Sequence, residues 1–478
     1  MDFKENRKIL ALLSFLIILL MSLVIYLSYF TVFKAQNIID NPANRREMLQ
    51  VANIKRGTIY DRDMNVLSHS EGEKGNYTRV YTYPVIYSHL LGYSSKVRGN
   101  SALEASYNKY LLGEDRRNTL YSLYSFFDKT YNKDEGDDLV LTTKTSIQQK
   151  ARDSLYELGE KGAIVVMNPK TGEIYALVSY PDFNLQTIDQ DYAAIVEQNN
   201  GAFFNNAIQG GYTPGSILKI LTSAAIIESG IDQSYKDTGE EKIGGYPIKN
   251  ANNKVYGDIG LEEAFAHSVN TYFANKGVLV GKDRLGTIAE KFIFNKTFDF
   301  DLVSKNLNLR KSEYNYTKWD NQAIASASIG QADIIATPLE MAMVTSTIAN
   351  RGQLMKPYIV DTIKTSGGKV IEKREPEVLS TPISEQTANK IKDMMVSVIN
   401  TGTGKEARLS AYQVAGKTGT AQRSSQKEIN NAWFVGFAPA EDPKVCIAVV
   451  IQNVSSHGGE VAAPMARDII SYSLKELK

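Results

Sequence analysis

The stretch Thr213 to Leu221, TPGSILKIL, sets a serine and a lysine three residues apart directly after a Pro-Gly turn. Two readings compete for it. Proline near the first helical position and serine at a helix start are ordinary choices for opening a helix. The other reading is a nucleophile with its base one turn further on. On a helix, positions three apart share a face, which puts Ser216 in the first turn and Lys219 beside it. A first-turn serine lies among unpaired backbone N–H groups at the positive end of the dipole, a place that suits an oxyanion. A lysine serves as base only when neutral, which needs burial or a second cation nearby. The helical pattern continues through ILTSAAIIES to Gly230, a good stop. These nine residues alone do not decide between the readings.

Bulk properties exclude several functions. The 478 residues allow two or three domains, or one large domain with additions, and 43% apolar content supplies a core. Lys and Arg number 54 against 53 Asp and Glu, a net charge of +1. That balance gives no field for nucleic acid, and no basic stripe carries interleaved aromatics. The single cysteine, Cys446, lies in the apolar run VCIAVVI and reads as packing. The four histidines (His69, His89, His267 and His457) lack ligand spacing, which argues against a zinc site or a Ser-His-Asp triad.

One run could cross a membrane. Ile9 to Phe33 is uncharged over about 25 residues, enough to span a bilayer with some tilt. Lys4, Arg7 and Lys8 precede it, and Lys34 follows, a mild positive-inside signal. The run is too long for a signal peptide and no A-x-A site follows. The expectation is a cytoplasmic tail at 1–8, an uncleaved single-pass anchor at 9–33 in the cell membrane, and the rest extracytoplasmic.

Beyond the anchor, VANIKRGTIYDRDMNVLSHS alternates like a strand pair around DRDMN, and Tyr77 to Asp134 reads as extended or loosely packed. The pattern changes at EGDDLVLTTKTSIQQKARDSLYELG, with a strand over Leu139–Thr143 and a helix over Thr145–Leu158. GAIVVMNPKTGEIYALVSYP reads as a hairpin turning at NPKTG. Near the C-terminus YQVAGKTGTAQ, AWFVGFAPA and KVCIAVVIQNV read as three more strands, followed by a helix in APMARDIISYSLKEL. From about Ile217 to Asn400 the pattern is mostly helical. The simplest architecture is one antiparallel sheet built from both ends of the domain, with a helical lobe inserted between them.

Two further stretches supply parts that match the first. AFAHSVNTYFA offers Ser268 and Asn270, a hydroxyl and an amide that could equally be a helix's solvated face. VAGKTGTAQ places Lys417, Thr418, Gly419 and Thr420 on a strand, either a cradle for a carboxylate or a Thr- and Gly-rich turn. Glycine there would let a substrate backbone approach, and an edge strand can take up an extended peptide. NTGTGKEA resembles a phosphate loop but fails its pattern, since Glu406 follows Lys405. In order, the three stretches give the set S-x-x-K, S-x-N and K-T-G, found in the serine acyltransferases that include penicillin-binding proteins and β-lactamases.

The chain as a whole resembles a class B penicillin-binding protein, a membrane-anchored peptidoglycan D,D-transpeptidase. RGTIYDRDMNVL, Arg56 to Leu67, is similar to the signature opening that family's non-catalytic module, with Met64-Asn65 where Gly-x is usual. NPANRR and YPVIYSHLLGYSS…LEASYNKYLLG resemble the short actinobacterial and clostridial subgroup, and IGQADIIATPLEMAMVTSTIANRG matches a further family stretch. The resemblance implies an α+β transpeptidase domain at 137–478, with a five-stranded antiparallel sheet and a helical lobe. An elongated pedestal or dimerisation-like module at 34–136 would precede it. It implies that Ser216 attacks the penultimate D-Ala carbonyl of a stem peptide, with Lys219 as proton acceptor and Lys417 lowering its pKa. Ser268 would relay a proton to the leaving amine, and Asn270 would bond Lys219 and the substrate amide. The N–H groups of Ser216 and Thr420 would form the oxyanion hole, and Thr418 and Thr420 would bind the substrate carboxylate. Penicillins would acylate Ser216. No metal or organic cofactor is implied. The implied partner is a polytopic membrane glycosyltransferase of the shape, elongation, division and sporulation type. A D,D-carboxypeptidase using the same residues, and a non-enzymatic β-lactam sensor or scaffold, are the competing functions. A β-lactamase is disfavoured because no E-x-x-L-N stretch supplies a water-activating group between the second and third motifs.

Overall fold

The computed structural model describes residues 3–30, 53–114, 132, 134–424 and 429–478. The predicted hairpin at NPKTG is present as β1 (Gly162–Met167) and β2 (Ile174–Tyr180). Asn168 sets the turn: its side chain accepts from the Lys170 amide at 3.0 Å and its carbonyl from the Gly172 amide at 3.0 Å. The three C-terminal runs form β3 (Ala415–Ser424), β4 (Ile429–Ala438) and β5 (Val445–Val454). The sheet order is β3-β4-β5-β1-β2 and every pairing is antiparallel, so both ends of the domain build one sheet and β3 lies at its edge.

Apart from β3, its strands read as largely apolar runs because both faces are covered. In chain order, the helices framing the sheet and the inserted lobe include α1 (Thr145–Leu158), α2 (Lys219–Ser229), α3 (Leu261–Ala266), α4 (Asn270–Val280), α5 (Pro338–Ala349) and α6 (Ala462–Glu476). On one face Ile147 and Leu155 of α1 and Ile469 and Ile470 of α6 pack with Ile164 and Ile447. On the other, Met341 and Ala342 of α5 join Val165 and Ala448. Cys446 is buried there, with its thiol donating to the Ala342 carbonyl, so it is a packing residue.

The expected strand before α1 forms over Asp138–Leu141 but belongs to a second sheet. It runs parallel to Ile59–Tyr60 and antiparallel to Val360–Lys364, a strand returned by the inserted lobe. One sheet therefore does not account for the domain. Leu139 and Leu141 are both fully buried, and a strand buried on one face takes whichever sheet covers it.

The strand pair around DRDMN is present, Ile59 facing Ser68 and Tyr60 facing Val66. Asp61 closes its loop by accepting the Asp63 and Asn65 amides at 2.9 and 2.8 Å. Met64 sits there at φ 65°, a conformation glycine adopts freely, which accounts for the glycine usual at this point of the signature. Residues 77–114 are not loosely packed. Short helices at Ser88–Leu91, Ala102–Ser106 and Asn108–Leu111 bury Leu90, Leu91, Leu103 and Leu111 completely. The Tyr and Ser content hid this core, because Tyr87 is buried whole with its hydroxyl bonded to Thr145. Residues 115–131 and the NPANRR stretch lie outside the described residues. His89 is also a core residue: its Nε2 bonds the Ala202 carbonyl at 2.7 Å, and burial pushes its pKa down to about 4.

Arg56, from the signature, and Arg79 grip one carboxylate. Their Nε atoms donate to the two oxygens of Glu104 at 2.5 and 2.7 Å, and Glu104 is wholly buried. Removing one partner from such a cluster strands buried charge, so Glu104→Ala is expected to lower unfolding free energy by about 3–5 kcal/mol, read by denaturant unfolding.

The apolar helix extends over Phe3–Tyr29, of which Arg7–Tyr29 is long and apolar enough to cross a membrane. Its large apolar side chains from Ile9 to Tyr29 are exposed, and positions 31–33 of the expected span lie outside the described residues.

Candidate active site

Ser216 stands on a 3-10 turn, Gly215–Leu218, and Lys219 is the first residue of α2. The expected α-helical first turn is thus tighter than predicted. In a 3-10 turn positions three apart eclipse one another, so the tightening keeps the two residues on one edge. Ser216 is half-buried, whereas Lys219 is wholly buried. α2 ends at Gly230 in the left-handed region, as its sequence predicts.

The turn is held from two sides. The Gly215 amide donates to the Gly330 carbonyl at 2.9 Å, and a Cβ at position 330 would fall 1.8 Å from the Gly215 carbonyl oxygen. That close approach explains the glycine of the IGQ stretch. The Trp433 indole donates to the Thr213 carbonyl at 3.1 Å.

Ser268 does not lie within a helix. It occupies the break between α3 and α4 at φ 59°, and Asn270 begins α4. Non-glycine residues in this region carry strain that surrounding structure must hold, and such residues cluster at functional sites. The break turns both oxygens of Ser268 toward Lys219, whose Nζ lies 2.8 Å from its carbonyl and 3.1 Å from its hydroxyl. Asn270 Oδ1 accepts from the same Nζ at 2.8 Å. Lys417 reaches the Ser268 hydroxyl from the strand edge at 3.0 Å, so that hydroxyl lies between the two lysines.

Lys219 and Lys417 are both fully buried, and among the described residues no carboxylate pairs with either. Burial first, and then the charge of Lys417, hold the Lys219 ammonium well below the usual lysine range. Burial pushes Lys417 down to about 7. Burial and a neighbouring second lysine, the two features that the sequence reading asks for to lower the Lys219 pKa, are both present.

On β3, Thr418 is buried and shares a 2.6 Å hydrogen bond with the hydroxyl of Thr403. Thr420 is half-buried, and its hydroxyl accepts from the Gly458 amide at 3.2 Å, which leaves its own proton to give. Gly419 has another reason than substrate approach: a Cβ there would meet the Pro214 carbonyl oxygen at 2.9 Å and Ile217 at 3.0 Å. The small residue lets the edge strand press against the serine turn. The eight expected residues (Ser216, Lys219, Ser268, Asn270, Lys417, Thr418, Gly419 and Thr420) therefore fall on three adjoining elements, the serine turn with the start of α2, the α3–α4 break and the edge strand β3. Sequence reasoning missed Thr403, from the stretch set aside as a failed phosphate loop, and Lys249, whose carbonyl accepts from Asn270 Nδ2 at 3.0 Å. Only Gly402 and Gly404 flanking Thr403 hinted at a close approach, and nothing in sequence marks a backbone acceptor.

A half-buried serine one 3-10 turn before a buried amine whose pKa burial lowers, a second hydroxyl between two lysines, and an edge strand carrying threonine hydroxyls are the parts that a serine acyltransferase uses. Residues 162–471 match the family model described as penicillin binding protein transpeptidase domain, and residues 56–136 match the penicillin binding protein A dimerisation domain. The chain belongs to the penicillin-binding protein transpeptidase family. It is 31% identical over 473 residues to the peptidoglycan D,D-transpeptidase PbpA of Mycolicibacterium smegmatis, covering 93% of this chain and 94% of that one. A D,D-transpeptidase domain from Eggerthella lenta has TM-score 0.78 at 35% identity, over 89% of this chain and 99% of that one. The ceftriaxone acyl-enzyme of penicillin-binding protein A from Mycobacterium tuberculosis has TM-score 0.80 at 30% identity, over 89% of this chain and 100% of that one.

Proposed function

We infer that this protein is a peptidoglycan D,D-transpeptidase that works through an acyl-enzyme on Ser216. The observation that carries the reading is the contact of buried Lys219 with Ser268 and Asn270, beside a second buried lysine and, among the described residues, with no carboxylate paired to either. Ser216 Oγ attacks the penultimate D-Ala carbonyl of a stem peptide and loses its proton to Lys219 Nζ. The C–N bond breaks, and the proton passes through the Ser268 hydroxyl to the leaving D-Ala amine. The N–H groups of Ser216 and Thr420 receive the developing oxyanion. Thr418 and Thr420 hold the terminal carboxylate beside Lys417. Asn270 has one amide hydrogen on Lys249 and keeps the other for the substrate. An amine of a second stem peptide then attacks the ester, the new amide forms, and Ser216 regains its proton. β-Lactams enter as analogues of the donor and remain on Ser216, as a relative's ceftriaxone acyl-enzyme supports.

The apolar helix anchors the chain in the cell membrane, with residues 1–8 cytoplasmic and the catalytic domain, 137–478, outside. Residues 34–136 serve as the pedestal between them, and the segment from Tyr77 to Asp134, with the anchor, as the contact for a polytopic glycosyltransferase. A carboxypeptidase would differ only in the acceptor, so products decide. With a stem-peptide donor and an amine acceptor, crosslinked dimer is expected to exceed hydrolysed donor; hydrolysis alone would assign the carboxypeptidase instead.

A further inference from the structure

Asp237 ends the strand Tyr235–Asp237, outside the three motifs, and is 1% exposed. Its carboxylate meets only donors. Thr271 Oγ1 lies at 2.6 Å, the Tyr256 amide at 2.7 Å, the Gly239 amide at 3.1 Å, and Asn250 Nδ2 at 3.0 Å from both oxygens. An acceptor-only group forces the Asn250 amide to turn its nitrogen inward. The Lys254 carbonyl, at 3.0 Å from the same nitrogen, demands the same orientation. Asn250 Oδ1 is thereby aimed at the start of α4, where it accepts the Thr271 amide at 3.1 Å. Val269, the residue capping α4, supplies no side-chain bond, so Asn250 is the helix's cap from a distant part of the chain.

The next residue back completes the path. The Lys249 carbonyl, also acceptor-only, takes Asn270 Nδ2 and leaves Oδ1 facing Lys219. A neutral lysine has two N–H bonds and one lone pair. The Ser268 carbonyl and Asn270 Oδ1, each at 2.8 Å, claim the two N–H bonds, which leaves the lone pair for the hydroxyl side of the site.

We propose that Asp237 is a positioning residue for acyl transfer. Through Asn250 and the Lys249 backbone it fixes the start of α4 and the flip of the Asn270 amide, and so aims the Lys219 lone pair. Asp237 touches no reacting atom. The proposal rests on the acyl-transfer reading above and adds to it a control that reaches the base through orientation.

The test is single-turnover acylation of the full-length protein by a fluorescent penicillin, with the rate constant at saturation separated from the non-covalent constant. Asp237→Asn keeps the shape but puts an NH2 group against donors, and is expected to slow acylation at saturation by about 10–100-fold, the scale of a misplacement away from the chemistry. The non-covalent constant should stay near wild type. Thr271→Val, which removes one hydroxyl, should shift the rate in the same direction, and Thr271→Ser should restore it. If Asp237→Asn does not fold, the threonine pair decides. Folded variants with wild-type rates, equal losses in the valine and serine variants, or a weakened non-covalent constant with an unchanged rate would each overturn the proposal. Absence of Ser216 acylation in the wild type would instead overturn the underlying reading.

Discussion

Ser216→Ala is expected to lower transpeptidation by about 10⁴-fold or more, the loss seen when a nucleophile acting in concert with its base is removed. Penicillin labelling should vanish with it, since both reactions need the same oxygen. Stability should not follow. Ser216 is only half-buried, and a substitution there that makes no cavity stays within about 0.5 kcal/mol. Thermal unfolding of the variant beside its labelling checks both halves. A variant that unfolds early would leave the loss of activity unexplained by chemistry, whereas a matched melt with no label assigns it to Oγ.

Lys219→Met is expected to slow acylation by about 10²–10⁴-fold, the range over which a positioned base acts. Methionine keeps the bulk in a fully buried site while removing the amine. The wild-type pH profile supplies the sign. Only neutral Lys219 can take the serine proton, so the rate falls as pH drops through its pKa, which burial and Lys417 hold well below the usual lysine range. Lys417→Met removes the neighbouring charge but leaves burial in place. The Lys219 pKa then rises, and the acidic limb should move to higher pH. Stopped-flow acylation rates across pH for the two proteins measure the shift, and an acidic limb that stays in place would show that Lys417 does not act on the base.

The hairpin at NPKTG, the C-terminal strands and α1 were legible because local turn chemistry and apolar runs agree with the final fold. The strand Asp138–Leu141 was legible as a strand but not in its sheet, because its partner Val360–Lys364 lies over 200 residues further along the chain. Residues 77–114 misled because their core is built from short helices and a buried tyrosine, with no long apolar run to signal them. In the site, residue types and spacing marked the eight residues as candidates. They did not reveal that Ser268 sits at a helix break with positive φ, since serine carries no mark of that conformation. Asp237, Asn250 and Lys249 stayed hidden for a related reason: they act through backbone groups and amide orientation, which leave no pattern in spacing.

If Ser216 Oγ carries the acyl group, a stable adduct must be found on that residue. Incubation of the full-length protein with a penicillin, followed by proteolysis and mass spectrometry of the peptides, tests it directly. One penicilloyl adduct on Ser216 is predicted, absent from Ser216→Ala and formed far more slowly in Lys219→Met. An adduct on Ser268 or any other residue, or an unmodified protein, would contradict it.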